Sequence, residues 1–262
     1  MFSFFLRKIR KHLSLNKIEN SLSLVSESYK ELSAISSVLR QDERYKSLFW
    51  LYDNKDERMD ATKPIFDYNR RLFHLSRYEF ASEYCFGKNV ADIACGTGYG
   101  SKMLSIKGQA ASVVGIDNCP EAVSYASIEH SSPNVRYVNT SATDTGLASG
   151  AIDILVSFET IEHVQDDQAL LKEFFRILAP HGLLICSTPN EWPVTVATYH
   201  KREYNKGSLV ALLSDFFEVE LLYNQNSGGT FQYNRGQEMG IIETTDENSS
   251  LAECFIAVCR KK

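Results

Sequence analysis

At 262 residues, with 44% apolar and 23% charged side chains, the chain has the size and composition of one large or two small folded domains, which excludes a collagenous, low-complexity or wholly disordered protein. Its 28 Lys and Arg against 33 Asp and Glu give a formal charge of −5, so it offers no field to gather a polyanion, and nucleic acid is not an expected partner. The six cysteines show no C-x-x-C or zinc-like spacing, and Cys186 and Cys254 lie in apolar runs, which fits a reducing, cytoplasmic location.

No run approaches the ~18 uninterrupted apolar residues that cross a bilayer. Over 2–13, Phe2, Phe5, Leu6, Ile9 and Leu13 recur at helical spacing while Arg7, Lys8, Arg10 and Lys11 hold the other face. Because the basic residues follow the first apolar ones and no long apolar region comes next, the stretch reads as an interfacial helix and not as a secretory signal. Its counterpart is either anionic lipid, which would place the protein peripherally at the inner face of the membrane, or a protein surface. From Ile18 the positions Leu22, Val25, Tyr29, Leu32 and Leu39 follow a 4-3 spacing with Ser36 in the seam, a marginal coiled coil that serves equally as a helical hairpin or a homodimer stalk. The charge-rich stretch 53–64, ending at Pro64, reads as linker, so a helical extension over 1–56 precedes a domain over 57–262.

Beyond Val90, short apolar runs alternate with helical stretches. Strands are predicted over 90–94, 112–116, 135–138, 152–158, 183–187, 217–223 and 253–259, and helices over 101–107, 120–131 and 166–179. Such alternation predicts an α/β fold with a mostly parallel, doubly wound sheet. No helix is evident between the last two strands, which predicts an antiparallel hairpin at one end.

The run VADIACGTGYGS carries a buried strand into three alternating glycines and then a helix, and VVGIDNCPEAVSYA supplies a second strand ending in Asp117. Glycines there let a ligand approach the backbone at the carboxyl end of the first strand, and a carboxylate ending the second accepts both hydroxyls of a ribose. The spacing G-x-G-x-G departs from the G-x-G-x-x-G of a dinucleotide site. Together the two runs resemble the class I S-adenosylmethionine-dependent methyltransferases, over roughly 57–262. The resemblance implies a Rossmann-like sheet with an antiparallel end strand, and S-adenosylmethionine as cofactor. It implies Gly96 and Gly98 along the methionine part, Asp117 on the ribose and Asn118 near the adenine. Asp92 either reaches the methionine amino group or ties the loop to its strand. Ala142 and Phe158 join this set, with Ser141 where the family usually has an acidic residue on the adenine amine, and Asp144 close by. The upstream run ERMDATKPIFDYNRRLFHLSRYEFA resembles the lead-in of bacterial glycan-associated methyltransferases. That likeness puts His74, Arg77 and Tyr78 on a helix capping the cofactor, with Arg77 either paired with its carboxylate or solvated.

At the reacting end, SFETIEHVQDDQALLKEFFRILAPHGLLICSTPN also matches the family and gathers Glu159, Glu162 and His163 beyond the fourth strand. An acceptor hydroxyl needs a base or a Lewis acid, and His163 suits the first task. In the alternative, Glu159 and Glu162 cap the next helix and His163 packs on the sheet. YHKREYNKGSLVALLSDFF resembles the H-x-x-E-[FY] segment of glycan-cluster and ubiquinone-pathway methyltransferases. Small-RNA 2′-O-methyltransferases hold a divalent metal with a similar E-x-x-E-H and a distant His, which makes Glu159, Glu162, His163 and His200 a candidate set for Mg²⁺ or Mn²⁺. Otherwise Glu203 and Tyr204 anchor a lid and His200 binds the acceptor. The expected activity is O-methylation of a sugar hydroxyl on a surface glycan or its lipid-linked precursor. The rivals are a quinone or other small-molecule acceptor, and a non-catalytic cofactor-binding subunit recruited to glycan assembly through residues 1–40.

Overall fold

The computed structural model describes residues 23–55, 58–196, 199–229 and 235–262. The chain divides into two compact units, Met1–Trp50 and Leu51–Lys262. The interfacial helix expected over 2–13, and the start of the 4-3 pattern, lie outside the described residues. Helix α1 covers 23–40 and a turn leads into α2 (Glu43–Asp53). On α1 the seam residues Val25, Tyr29 and Leu32 are exposed, as are Leu24, Ile35 and Val38. No helix among the described residues is long and apolar enough to cross a membrane.

The second unit is built on eight strands: β1 (Asn89–Ile93), β2 (Ser112–Asp117), β3 (Val135–Asn139), β4 (Ile152–Phe158), β5 (Leu178–Pro189), β6 (Phe217–Asn226), β7 (Gly240–Glu243) and β8 (Cys254–Lys261). Their order is β3-β2-β1-β4-β5-β8-β6-β7. The first five are parallel, and β8 runs antiparallel to both β5 and β6. Helices α3 (Tyr68–Ser82), α4 (Tyr99–Ile106), α5 (Pro120–Glu129), α6 (Asp167–Ile177) and α7 (Lys206–Ser214) flank this mostly parallel α/β sheet. The central strands are apolar on both faces because helices cover both. One core gathers Leu155, Leu170, Phe174, Leu184 and Phe255, and the other Tyr78, Val90, Leu104, Val156 and Val258.

Three expectations are corrected. The last two predicted strands do pair, but β8 is inserted between β5 and β6, and an unpredicted strand, β7, closes the edge against β6. Residues 254–259 are buried on both faces, which an edge strand would expose, so β8 takes a neighbour on each side. The helix predicted over 166–179 stops at Ile177, because Leu178 is already extended and pairs with Ile152. Finally, the stretch read as linker is packed. Asp60 and Ala61 are fully buried, and Asp60 accepts from Thr62 Oγ1 (2.6 Å), Tyr125 Oη (2.9 Å) and His130 Nε2 (2.7 Å). Burial pushes the Asp60 carboxyl up, but the bonds from His130 and Thr62 outweigh it and hold the group below the usual range.

Candidate active site

The glycine loop leaves β1 through a left-handed Ala94 (φ 61°), and Gly96 (φ 54°) and Gly98 (φ 83°) continue in that region, which glycine adopts without strain. The three glycines serve different ends. A Cβ on Gly98 would meet Ala126 Cβ at 2.5 Å and the Tyr137 ring at 2.8 Å, and one on Gly100 would run into the Tyr78 ring. These two glycines let α5, β3 and α3 close on the loop. Only at Gly96 is the side-chain direction open, with no heavy atom within 4 Å, so the cradle for a ligand expected along Gly96 and Gly98 is open on the Gly96 side. Thr97 Oγ1 ties the loop to the Met59 carbonyl (2.6 Å).

Asp117 ends β2 beside this cradle, buried. Its Oδ2 accepts the Gly96 N–H and its Oδ1 the Cys119 N–H, both at 2.9 Å, and Arg58 Nη1 stands 3.7 Å away. A carboxylate carries further lone pairs, so these bonds orient it without exhausting it. Asn118 is exposed next to it, and Ser141 follows the end of β3, where Asn139 pairs with Asp117. Ser141 Oγ accepts the Thr143 N–H (3.2 Å), while Ala142 packs on the core. The structure therefore brings Gly96, Asp117, Asn118, Ser141 and Ala142 to the ends of β1, β2 and β3. Asp92 is fully buried inside β1, accepting from Ser101 Oγ (2.6 Å) and Tyr78 Oη (3.3 Å). It is a tie between β1, α4 and α3, and burial raises its pKa to about 7.

At the end of β4, Phe158 is buried edge-on to the Tyr78 ring (5.0 Å). Glu159 follows in the left-handed region (φ 51°), an unfavourable conformation for a residue with a Cβ. Its N–H donates to the Ser187 carbonyl (3.1 Å), and its Oε1 accepts from Ser187 Oγ (2.8 Å) and pairs with Arg77 Nη1 (3.0 Å). Arg77 is 1% exposed, so the solvated alternative is excluded. Its guanidinium lies over the Phe73 ring (4.8 Å), and its Nε and Nη2 have no partner. Burial is the largest influence and works against the charge, but Glu159 together with Cys254, Tyr99 and Tyr78 outweighs it and raises the pKa of Arg77.

A 3₁₀ turn, Ile161–His163, carries the other two motif residues. Glu162 is buried; its Oε2 accepts from Thr188 Oγ1 (3.1 Å), and its Oε1 is partnerless, 3.8 Å from His163 Nε2. Burial, and then the charge of Glu159, push the Glu162 carboxyl well above the ordinary range. His163 is exposed, with Nδ1 at 3.2 Å from the Tyr199 carbonyl. A carbonyl only accepts, so Nδ1 carries the proton and Nε2 keeps a free lone pair. The Lys201 N–H donates to the Glu162 carbonyl (2.7 Å), which holds His200 edge-on to His163 (4.8 Å) and to Trp192 (5.3 Å). Burial, followed by His163, lowers the pKa of His200.

Of the four residues expected around a metal, Glu162, His163 and His200 present ligand atoms within 4.8 Å of one another. Glu159 is turned away to Arg77. The capping alternative also fails: α6 is capped by Asp166, whose side chain accepts the Ala169 N–H (2.9 Å). Glu203 and Tyr204 do anchor the stretch after β5, through the Val194 N–H (2.8 Å) and Asp167 Oδ2 (2.9 Å). The sequence reading missed Ser187, Thr188 and Arg58. All three stand in quoted runs, but nothing local marks Ser187 or Thr188 as partners of Glu159 and Glu162.

Residues 91–186 match the family model of a methyltransferase domain. A probable S-adenosylmethionine-dependent methyltransferase of Mycolicibacterium smegmatis is 30% identical over 150 residues, covering 55% of this chain and 57% of that one. A ubiquinone biosynthesis O-methyltransferase of Cereibacter sphaeroides is 36% identical over 113 residues, covering 42% and 45%. The chain thus spans about half the length of the curated relatives it matches. Among solved structures, an S-adenosylmethionine-dependent methyltransferase of Thermotoga maritima superposes with a TM-score of 0.59 at 18% identity, covering 74% of this chain and 91% of that one, which establishes a shared fold.

Proposed function

Because the chain carries a class I S-adenosylmethionine-dependent methyltransferase domain, we propose that it transfers the cofactor's methyl group to a hydroxyl oxygen, with His163 as general base. The observation that carries this is the imidazole whose Nδ1–H is committed to the Tyr199 carbonyl, leaving Nε2 free to take a proton. S-adenosylmethionine supplies an electrophilic methyl on a sulfonium. Gly96 leaves room for the bound chain, Asp117 accepts the ribose hydroxyls, and Asn118, Ser141 and Ala142 border the base. With the cofactor bound, His163 Nε2 would take the acceptor proton as the acceptor oxygen receives the methyl, and the imidazole would then pass the proton to solvent. Most of the acceleration comes from holding the two reacting atoms in line at about 3 Å.

We place the acceptor oxygen on a sugar of a surface glycan or its lipid-linked precursor, handled in the cytoplasm at the inner face of the membrane. The likeness of the lead-in ERMDATKPIFDYNRRLFHLSRYEFA and of YHKREYNKGSLVALLSDFF to glycan-associated methyltransferases supports this acceptor. A quinone-type phenol is the second reading, supported by the ubiquinone O-methyltransferase relative. Glu162, His163 and His200 also fit a divalent cation, whose mixed oxygen and nitrogen donors suit Mn²⁺ better than Mg²⁺. There a metal would act as a Lewis acid on the acceptor oxygen.

Release of S-adenosylhomocysteine in the presence of sugar and phenol acceptors tests the assignment. His163→Ala should lower turnover about 10²–10⁴-fold with cofactor affinity unchanged. Near-normal turnover by that variant would remove His163 from the chemistry.

A further inference from the structure

We propose that the acceptor presents its reacting hydroxyl on a head group joined to an apolar chain, and that the tip of the segment after β5, within 190–204, receives that chain. The inference deepens the methyltransferase reading above and rests on it. Its first support is the chemistry of the tip. The run WPVTVATY, residues 192–199, carries no charge, and within it Tyr199 is 59% exposed, Val196 46% and Val194 36%. Single exposed apolar residues are ordinary, whereas several on one short segment mark an interaction site.

The segment is tied and not loose. Asn190 pairs with Tyr204, the Glu191 N–H donates to the Tyr204 carbonyl (2.8 Å), and Tyr204 Oη is anchored on Asp167 (2.9 Å), which closes the loop at its base. The Val194 N–H donates to Glu203 Oε1 (2.8 Å) and the Val196 N–H to the Pro193 carbonyl (2.9 Å). A compact loop with joined ends therefore holds its apolar side chains in water at a cost that an apolar ligand relieves.

Position selects the occupant. The Tyr199 carbonyl lies 3.2 Å from His163 Nδ1, and the next residue, His200, stands edge-on to the His163 ring (4.8 Å) and to Trp192 (5.3 Å). The Lys201 N–H, bonded to the Glu162 carbonyl (2.7 Å), fixes this order. An apolar group resting on Tyr199 thus begins one residue away from the groups that flank the proposed base, which makes it a part of the same molecule whose hydroxyl reacts. A free sugar, polar on every side, gains little from an uncharged tip. A lipid-linked sugar or an alkylated phenol brings the chain, so the lipid-linked precursor is favoured over the finished glycan.

The test is calorimetry on protein saturated with S-adenosylhomocysteine, using two matched pairs of probes: octyl and methyl β-glucoside, the former below its micellar concentration, and octyl and methyl gallate. In at least one pair the octyl compound should bind at least about tenfold more tightly than the methyl one, and the pair that shows the gain names the head group. Tyr199→Ser combined with Val196→Ser keeps the backbone bonds and removes the apolar surface. It should erase the gain while S-adenosylhomocysteine affinity stays the same, which also shows that the variant is folded. No octyl gain in either pair, or a gain that survives the double substitution, would overturn the proposal. So would binding to uncharged phosphatidylcholine vesicles by a protein indifferent to the octyl probes, because the tip would then meet a bilayer. A wild type that does not bind S-adenosylhomocysteine would instead overturn the methyltransferase reading on which the proposal stands.

Discussion

Asp92→Asn should stabilise the protein progressively as the solution becomes more alkaline. The carboxyl is fully buried in the middle of β1, and burial, with Asp117 as a nearby like charge, raises its pKa from 3.8 to about 7. A group whose folded pKa lies above its unfolded one contributes stability that is full below the unfolded value and is lost as pH rises through the folded value. Here that window runs from 3.8 to about 7. Three units at about 1.4 kcal/mol each make the loss about 4 kcal/mol over the whole window, of which about 2 kcal/mol falls between about pH 5.5 and about pH 8. Asparagine removes the titration altogether. The bonds from Ser101 and Tyr78 favour the charged form and are already contained in that value, so the part of the substitution that does not change with pH is the exchange of a carboxyl for an amide against the same two hydroxyls. The quantity to measure is the difference in unfolding free energy between variant and wild type, from urea titrations at the two pH values. It should move by about 2 kcal/mol in favour of the variant at the higher pH. A difference that is the same at both would show that Asp92 is ionised throughout and that its burial has been misjudged.

The other expectations concern packing, cofactor, metal and membrane. Gly100→Ala drives a methyl into the Tyr78 ring, which Tyr99 and Phe158 hold edge-on, so it should destabilise by about 1–3 kcal/mol in urea, and an unchanged midpoint would refute the close approach of α3. Asp117→Ala removes the acceptor that orients the Gly96 N–H and the proposed ribose contact, so calorimetry should show S-adenosylhomocysteine binding weakened at least about tenfold. If Glu162, His163 and His200 hold a cation, Mn²⁺ titration should saturate one site that His200→Ala loses, and chelator should silence turnover; full activity in chelator would discard the metal and keep the base. If residues 2–13 lie on a membrane, deleting 1–16 should abolish binding to anionic vesicles at low salt while cofactor affinity stays the same.

What the sequence made legible was whatever local pattern determines. Each of the five parallel strands holds a short apolar run, and the glycine loop with Asp117 is a contiguous motif, so both are legible in the sequence. Placement of β8 could not, because its apolar run is equally compatible with an edge or a centre until both neighbours are known. β7 is four residues long and pairs only with β6, too short for a period-two pattern to stand out. The stretch around Asp60 resembles a linker for the same reason in reverse. Its charges and Pro64 look solvated locally, whereas the groups that make a buried Asp60 tolerable, Tyr125 and His130, belong to α5 and its C-cap.

The candidate site shows the same limit within a single motif. Glu159, Glu162 and His163 lie within five residues, and spacing alone treats them as one cluster. Glu159, however, directly follows β4 in a left-handed conformation, and its carboxylate meets Ser187 of β5 and Arg77 of α3. Glu162 and His163 come one 3₁₀ turn later and face Thr188, Tyr199 and His200. One backbone torsion thus divides a five-residue motif between two neighbourhoods, one holding a buried cation and the other two imidazoles. The charge of Glu159 still reaches the second, since it helps keep the Glu162 carboxyl above the ordinary range. A residue paired on one side and felt on the other is placed to couple the two neighbourhoods.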